Sequence, residues 1–191
     1  MNKNLLLDKL PQYSKSGLKL RTDFRESIKF ELLMQDSKLD EQTKIMQALR
    51  LYYYDMSKIK NVKEAIEDIL WFYACGRKEQ KVDKNKNEEK SNKQIYSYEF
   101  DDEYIYSAFM EQYKIDLNSI RYLHWWKFKA LLNSLNENTQ FVKIMGYRSI
   151  DLSKIKNKDM KLNYKKLKKQ YALPDMRTSE QKEADFGKAF W

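Results

Sequence analysis

His124 and Cys75 are the two residues that could support nucleophilic catalysis, because they are the only histidine and the only cysteine in the chain. A thiol beside an imidazole can act as a nucleophile activated by a base. Cys75, however, lies in the apolar run LWFYACG, where a thiol usually behaves as a small buried apolar group. His124 precedes Trp125 in an aromatic stretch that favours a hydrogen-bonded packing role. The sequence therefore predicts no catalytic pair.

Metal and phosphate chemistry lack the residue patterns that they need. One histidine cannot supply the usual zinc ligands. The acidic run Asp101, Asp102 and Glu103 could bind a divalent metal, but acids at a predicted helix start are typical of an N-terminal charge cap. The 4 glycines are too far apart for a P-loop or a dinucleotide fingerprint. We expect no enzymatic activity, no metal and no cofactor.

A lysine-dense segment from Lys154 to Lys169 is the candidate for binding nucleic acid, and such contacts would depend on salt. The alternative is an amphipathic helix with a solvated basic face. The net charge of +9 lies mostly outside the predicted core, since residues 77–94 and 151–191 carry +3 and +5 while residues 95–150 carry −1. A nucleic-acid-binding protein usually concentrates charge on its folded reading surface. Nucleic acid is therefore the less favoured partner.

The composition favours one helical domain. The chain has 191 residues with only 4 glycines and 2 prolines, and it can bury a sizeable core without disulfides or metal. A single cysteine excludes a disulfide framework and favours a reducing cytoplasm. No apolar run approaches the roughly 18–20 residues that a membrane span requires. We expect a soluble cytoplasmic protein that does not bind membranes.

The stretch from Ile115 to Arg148 is predicted to form the core as two helices joined by a turn. Asn118 or Ser119 can cap the first helix, and Gly146 can end the second. Between the helices, polar residues at 136–139 favour a turn. The apolar face of the first helix follows steps of three and four residues, at Tyr122, Trp125, Phe128, Leu132 and Leu135.

Five further helices are predicted from their end signals. Asp23 with Glu26, Asp40 with Glu41, and Asn61 with Glu64 mark three helix starts before residue 76. Gly76 ends the third of these helices. A fourth begins at the acidic run Asp101 to Glu103, and a last lysine-rich helix runs from about Asp159 to Tyr171.

The predicted fold is all-α, a single compact domain of six to seven helices over residues 22–174. Residues 1–21 are predicted to form a loosely ordered arm, and the polar residues 77–94 a flexible basic loop. Residues 175–191 are predicted to form a disordered tail. Its aromatic residues Phe186, Phe190 and Trp191 indicate either a docking peptide or a segment that folds back on the core.

Several motifs together resemble a family of small proteins from tailed phages and prophages of Gram-positive bacteria. Their genes lie between those for the major tail protein and the tape measure protein. The resemblance covers roughly residues 20–174, and its most specific motif is centred on HWW. The motifs are TDFR (Thr22–Arg25), FYACG (Phe72–Gly76), YEFDDEYIYSAF (Tyr98–Phe109), YKIDL (Tyr113–Leu117), LHWWKFKALL (Leu123–Leu132), KIMGYR with the following DL (to Leu152) and KKQYALP (Lys168–Pro174).

This resemblance implies a tail assembly chaperone: an all-helical, non-enzymatic protein of the host cell cytoplasm that is absent from the finished particle. It would bind the tape measure protein and recruit major tail protein subunits. Many such phages make a short and a frameshifted long chaperone, so a shorter chaperone form and self-association are further partners that the resemblance allows. The rivals are a minor structural component of the tail or head–tail junction, and a basic nucleic-acid-binding or host-modulating phage protein.

The family supplies no catalytic residues, so partner contacts are nominated by chemistry alone. Interface centres favour exposed aromatic side chains, and lysines can supply an electrostatic surface. The nominated residues are Tyr53, Tyr54, Trp126, Phe186, Phe190 and Trp191 as aromatics, and Lys165, Lys166, Lys168 and Lys169 as cations. Core packing is the competing role for Trp126.

Overall fold

The computed structural model describes residues 5–77 and 94–174. Within these ranges the chain forms seven α-helices and two 3₁₀ turns, and extended backbone pairs only in isolated bridges. The all-α fold predicted from the sequence is confirmed. The helices are α1 (Phe24–Gln35), α2 (Glu41–Tyr52), α3 (Val62–Tyr73), α4 (Asp102–Tyr113), α5 (Trp125–Asn133), α6 (Gln140–Ser149) and α7 (Lys158–Gln170), with the 3₁₀ turns at Met56–Lys58 and Leu152–Lys154.

Short polar side chains begin the first three helices where the sequence predicts. Asp23, Asp40 and Asn61 are the N-caps of α1, α2 and α3. Each side chain accepts a hydrogen bond from a backbone N–H of the first turn, which has no partner inside the helix. Such a cap stabilises a helix by about 1 kcal/mol.

Residues 16–21, which fall within the arm predicted for residues 1–21, are held against the helices. Both the backbone N–H and the hydroxyl of Ser16 donate to the carboxylate of Asp68, which is buried on α3. The side chain of Leu20 is also buried, and Arg21 N–H donates to the Tyr52 carbonyl. A buried carboxylate requires hydrogen-bond donors, and this segment supplies them.

The central helix, α5, starts later than the sequence predicts. Its N-cap is His124, so the expected start at Asn118 or Ser119 is wrong. The Asp116 carboxylate accepts hydrogen bonds from the N–H groups of both residues and thereby holds them in a turn outside the helix. Tyr122, expected on the buried face, is half exposed for the same reason.

The next helix, α6, passes through Gly146, which the sequence predicts as its end. Thr139 caps its start, and the helix continues to Ser149. Glycine inside a helix costs about 1 kcal/mol relative to alanine, and the packing of Phe141 and Ile144 in the core outweighs this cost. The predicted end at Gly146 is wrong, whereas the predicted turn before Thr139 is present.

Two predicted segments fall largely or wholly outside the described residues. They are the basic loop at 77–94, of which only residues 77 and 94 are described, and the tail at 175–191. No helix in the described parts of the chain is long and apolar enough to cross a membrane.

Candidate interaction surface

Two adjacent tryptophans join α5 to the C-terminal end of α3. The indole N–H of Trp125 donates to the Tyr73 carbonyl at 2.9 Å, and that of Trp126 donates to the Phe72 carbonyl at 2.8 Å. The last carbonyls of a helix have no intrahelical partner, so these indoles satisfy them. Gly76 follows with φ +71°, and a Cβ atom on it would lie 2.8 Å from Trp126 Cη2. The FYACG and HWW motifs therefore form one packed junction.

His124 is fully engaged at this junction. Its Nδ1 accepts from the Trp126 N–H at 3.1 Å, so Nε2 carries the proton and donates to the Pro11 carbonyl at 3.0 Å. Burial lowers the pKa of His124, because the charged imidazolium would lose its water. The neutral imidazole thus ties the N-terminal segment to α5 as a packing residue.

Cys75 shows no sign of an activated thiol. It is partly buried, and its Sγ lies 3.8 Å from the Tyr73 carbonyl oxygen. Burial raises the pKa of Cys75 to about 11, so the thiol stays protonated at neutral pH. The two ring nitrogens of His124 are already occupied by backbone groups. Neither ring nitrogen of His124 is therefore free to act as a base for Cys75.

The TDFR motif at the start of α1 binds the turn that precedes α5. The Arg25 guanidinium donates to the carbonyls of Leu117 and Ile120, at 2.8 Å each. Asp23 accepts from the Leu123 N–H, while Thr22 and Tyr122 share a hydrogen bond of 2.7 Å between their hydroxyls. This motif, too, acts through packing within the chain.

The acidic run at the start of α4 contains a buried ion pair that the sequence did not reveal. Asp102 and Glu103 lie in the first turn of α4, as an N-terminal charge cap requires. Asp101 is instead fully buried and accepts from Arg148 at 2.6 and 2.8 Å and from the Ser97 N–H. The partners are 47 positions apart, so no local pattern indicates the pair. Asp101 is therefore a buried anion whose hydrogen bonds come from Arg148 and the Ser97 N–H.

Two clefts border the N-terminal segment. Their volumes are about 760 and 490 Å³. Among the described residues there is no cluster of three or more histidine, cysteine or acidic side chains that could bind a metal. The larger cleft is lined by Lys9, Leu10, Pro11, Gln12, Tyr13, Ser14, Lys15 and Trp71, and the smaller by Leu5, Asp8, Lys9, Leu10, Gln12, Tyr122, Leu123, His124 and Lys127.

The nominated lysines share α7, which has no buried residue. Lys165, Lys166 and Lys169 are exposed, and Lys168 is half-buried because its Nζ donates to the Ile150 carbonyl. Among residues 5–77 and 94–174, no lysine of α7 lies within 4.0 Å of a carboxylate. The basic face of α7 is thus presented to solvent, and its lysines form no ion pair within these residues.

The nominated aromatic residues divide into exposed and buried ones. Tyr54 is 58% exposed, with Lys19 and Arg21 over its ring. Tyr53 and Trp126 are 1% and 4% exposed, so the nomination of Tyr53 as a surface aromatic is wrong and Trp126 has the competing role of core packing. Their polar atoms explain why: the Tyr53 hydroxyl donates to the Ala65 carbonyl, and the Trp126 indole caps α3. Phe186, Phe190 and Trp191 lie outside the described residues.

Exposed methionines are a surface feature that sequence reasoning missed. Met34, Met46, Met110 and Met160 lie on α1, α2, α4 and α7 with 38–53% of their surface exposed. Leu162 on α7 is also exposed, at 55%. The sequence could have indicated the exposure of Leu162. At helical spacing, this leucine falls outside the stripe formed by Met160, Tyr164 and Leu167 on the same helix.

Most of the quoted motifs thus build the scaffold, and the surface of the helices carries exposed apolar and basic side chains. A model of the family described as Bacteriophage Gp15 protein matches residues 6–173. The chain belongs to this bacteriophage family. The match spans all seven helices, so the Gp15-family assignment covers the whole described fold. No curated protein and no solved structure matches this Gp15-family chain.

Proposed function

We propose that this Gp15-family protein is a tail assembly chaperone in the cytoplasm of a Gram-positive host. It binds the tape measure protein and recruits major tail protein subunits during tail tube assembly, without catalysing a reaction. The proposal rests on the motifs that resemble proteins encoded between the major tail and tape measure genes. Family membership supports the bacteriophage part of this resemblance.

The observation that carries the proposal is the set of exposed apolar side chains on a rigid helical scaffold. Methionine is unbranched and polarizable, so it adapts to irregular apolar partners and is common at promiscuous binding surfaces. Four methionines on four different helices are exposed here. A chaperone that shields many apolar segments along an extended protein needs adaptable contacts of this kind.

The exposed charges fit the reversibility that a chaperone requires. Surface ion pairs are worth only about 0–1 kcal/mol each, so they steer association without making it permanent. A tail chaperone must be displaced as major tail protein polymerises around the tape measure protein. Adaptable apolar contacts with a basic surface nearby provide modest affinity of this type.

Mass spectrometry of purified phage particles separates this function from that of a minor virion component. We expect the chain in lysates of infected cells at the time of tail assembly and its absence from purified particles. The tape measure and major tail proteins serve as internal controls for detection in the same particles. Stoichiometric presence of the chain in particles would overturn the chaperone function in favour of a structural role in the tail or head–tail junction.

A further inference from the structure

A stripe of lysines runs along the solvent face of α7. Lys158, Lys161, Lys165 and Lys169 succeed one another at steps of three or four residues, and all four are exposed. Residues at these spacings lie on one side of a helix. With a rise of about 1.5 Å per residue, the stripe extends roughly 16 Å.

An apolar side chain interrupts this stripe. Leu162 lies four residues after Lys158 and three before Lys165, and 55% of its surface is exposed. The only acidic residue of α7, Asp159, forms no ion pair with a lysine within the described part of the chain. The face combines a row of exposed lysines with an exposed leucine.

The opposite face fixes α7 to the rest of the molecule. The rings of Tyr164 and Tyr171 pack on Tyr147 of α6, with centroids 6.4 and 5.8 Å away. Arg148 Nε also donates to the Tyr171 carbonyl. The aromatic rings of this region are therefore engaged in packing, and α7 presents its lysine stripe outward in a fixed orientation.

We propose that the lysine stripe and Leu162 together bind an acidic amphipathic helix of a partner protein. Carboxylates spaced three and four residues apart on a partner helix match the spacing of the lysines, and an apolar residue between them would cover Leu162. This deepens the proposed function, on which it rests for the identity of the partner as a phage assembly protein.

The geometry favours a protein helix over nucleic acid. Binding of single strands relies on exposed aromatic platforms, and the tyrosines here are engaged with Tyr147. Duplex DNA is contacted through its phosphates, which would leave Leu162 without an apolar partner. The stripe also has no arginine for bidentate contacts with phosphate or bases.

Peptide titration with the full chain tests the proposal. The probe is a helical peptide with glutamates at steps of three and four and leucines beside them, and its control is a scrambled peptide of the same composition. We expect K161Q/K165Q/K169Q to weaken binding about tenfold, since it removes three exposed ion pairs. The control K60Q/K63Q/K127Q removes the same charge from other exposed lysines and should bind like the wild type. Circular dichroism checks that both variants fold.

A substitution of Leu162 distinguishes binding of a helical peptide from binding of a polyanion. L162Q should weaken peptide binding about threefold or more, because it removes the apolar contact, and should leave the affinity for an about 20-base-pair DNA duplex at low salt unchanged. Equal binding of both peptides, equal losses in both triple variants, or tighter binding of the duplex than of the peptide would overturn the proposal. The proposed function as a tail assembly chaperone can fail independently of this proposal, because it is tested by the protein composition of phage particles and not by this titration.

Discussion

Arg148 connects three separate parts of the second half of the fold. Its guanidinium joins Asp101 at the start of α4 to the carbonyls of Ile95 and Tyr171, and Asp101 has no exposed surface. Removal of one partner from such a pair leaves a buried charge that no longer has its counter-ion.

We therefore expect Arg148→Met to lower the free energy of unfolding by about 3–5 kcal/mol, as measured by chemical denaturation. The matched control is Lys58→Met, which breaks the exposed pair with Asp55 and should cost under about 1 kcal/mol. Equal small losses in the two variants would show that the buried pair does not hold α4 against α6.

His124 makes stability depend on pH in a defined direction. Burial lowers the pKa of the folded imidazole below its ordinary value of 6.5. Below about pH 6.5 the unfolded chain therefore binds a proton on His124 more readily than the folded chain does. The contribution of neutral His124 is complete above about pH 6.5 and is lost as the pH falls towards the folded pKa.

His124→Asn retains a side chain that can cap α5 but does not titrate. We expect the melting temperature of the wild type to fall more steeply than that of the variant between about pH 7.5 and 5. The carboxylates are the same in both proteins, so the difference isolates His124. Parallel plots of melting temperature against pH for the two proteins would contradict the account of a buried neutral imidazole.

At the scale of elements, local signals were sufficient to predict most of the helices. Asp23, Asp40 and Asn61 cap helices because a short polar acceptor precedes an apolar periodicity. The cap at His124 was not predicted, because an imidazole accepts only in one tautomer and the hydrogen bond to distant Pro11 selects it. The Asp101–Arg148 pair escaped prediction for the same reason, since tertiary structure alone brings its partners together.

Gly76 and Gly146 show how the same residue type serves two elements differently. Gly76 has φ +71° and no room for a Cβ atom, whereas Gly146 lies inside α6, where a Cβ atom would meet no neighbouring group within 4 Å. The sequence predicted a helix end at both positions, and the backbone conformation together with the packing of Trp126 separates them.

Gly76→Ala should therefore lower the free energy of unfolding by more than about 1 kcal/mol, through backbone strain and the clash with Trp126. Gly146→Ala should raise it by about 0.5–1 kcal/mol, because alanine favours the helix interior. Thermal and chemical denaturation of the pair measure both signs. Destabilisation by both substitutions would show that the surroundings of Gly146 are tighter than the structure indicates.

At the scale of the molecule, three of the motifs and the candidate surface occupy different places. TDFR, FYACG and HWW contact one another inside the chain, whereas the exposed methionines and the α7 lysines lie on the outside. The motifs predicted the all-α scaffold, but they could not identify the surface, because exposure is set by the packing of all the helices together. This is why Tyr53 was misplaced while Tyr54 was not, and why Trp126 turned out to be a core residue.

Co-expression with the tape measure protein of the same phage tests the central claim most directly. Wild-type chain should keep the tape measure protein soluble and co-purify with it. The variant M46E/M110E/M160E should reduce the yield of co-purified tape measure protein, because it places charge at positions of exposed apolar side chains. The control variant Q47E/S107E/N163E adds the same charge at exposed polar positions of the same helices. It should retain the wild-type yield of co-purified tape measure protein. An insoluble tape measure protein beside a folded wild-type chain would contradict the claim.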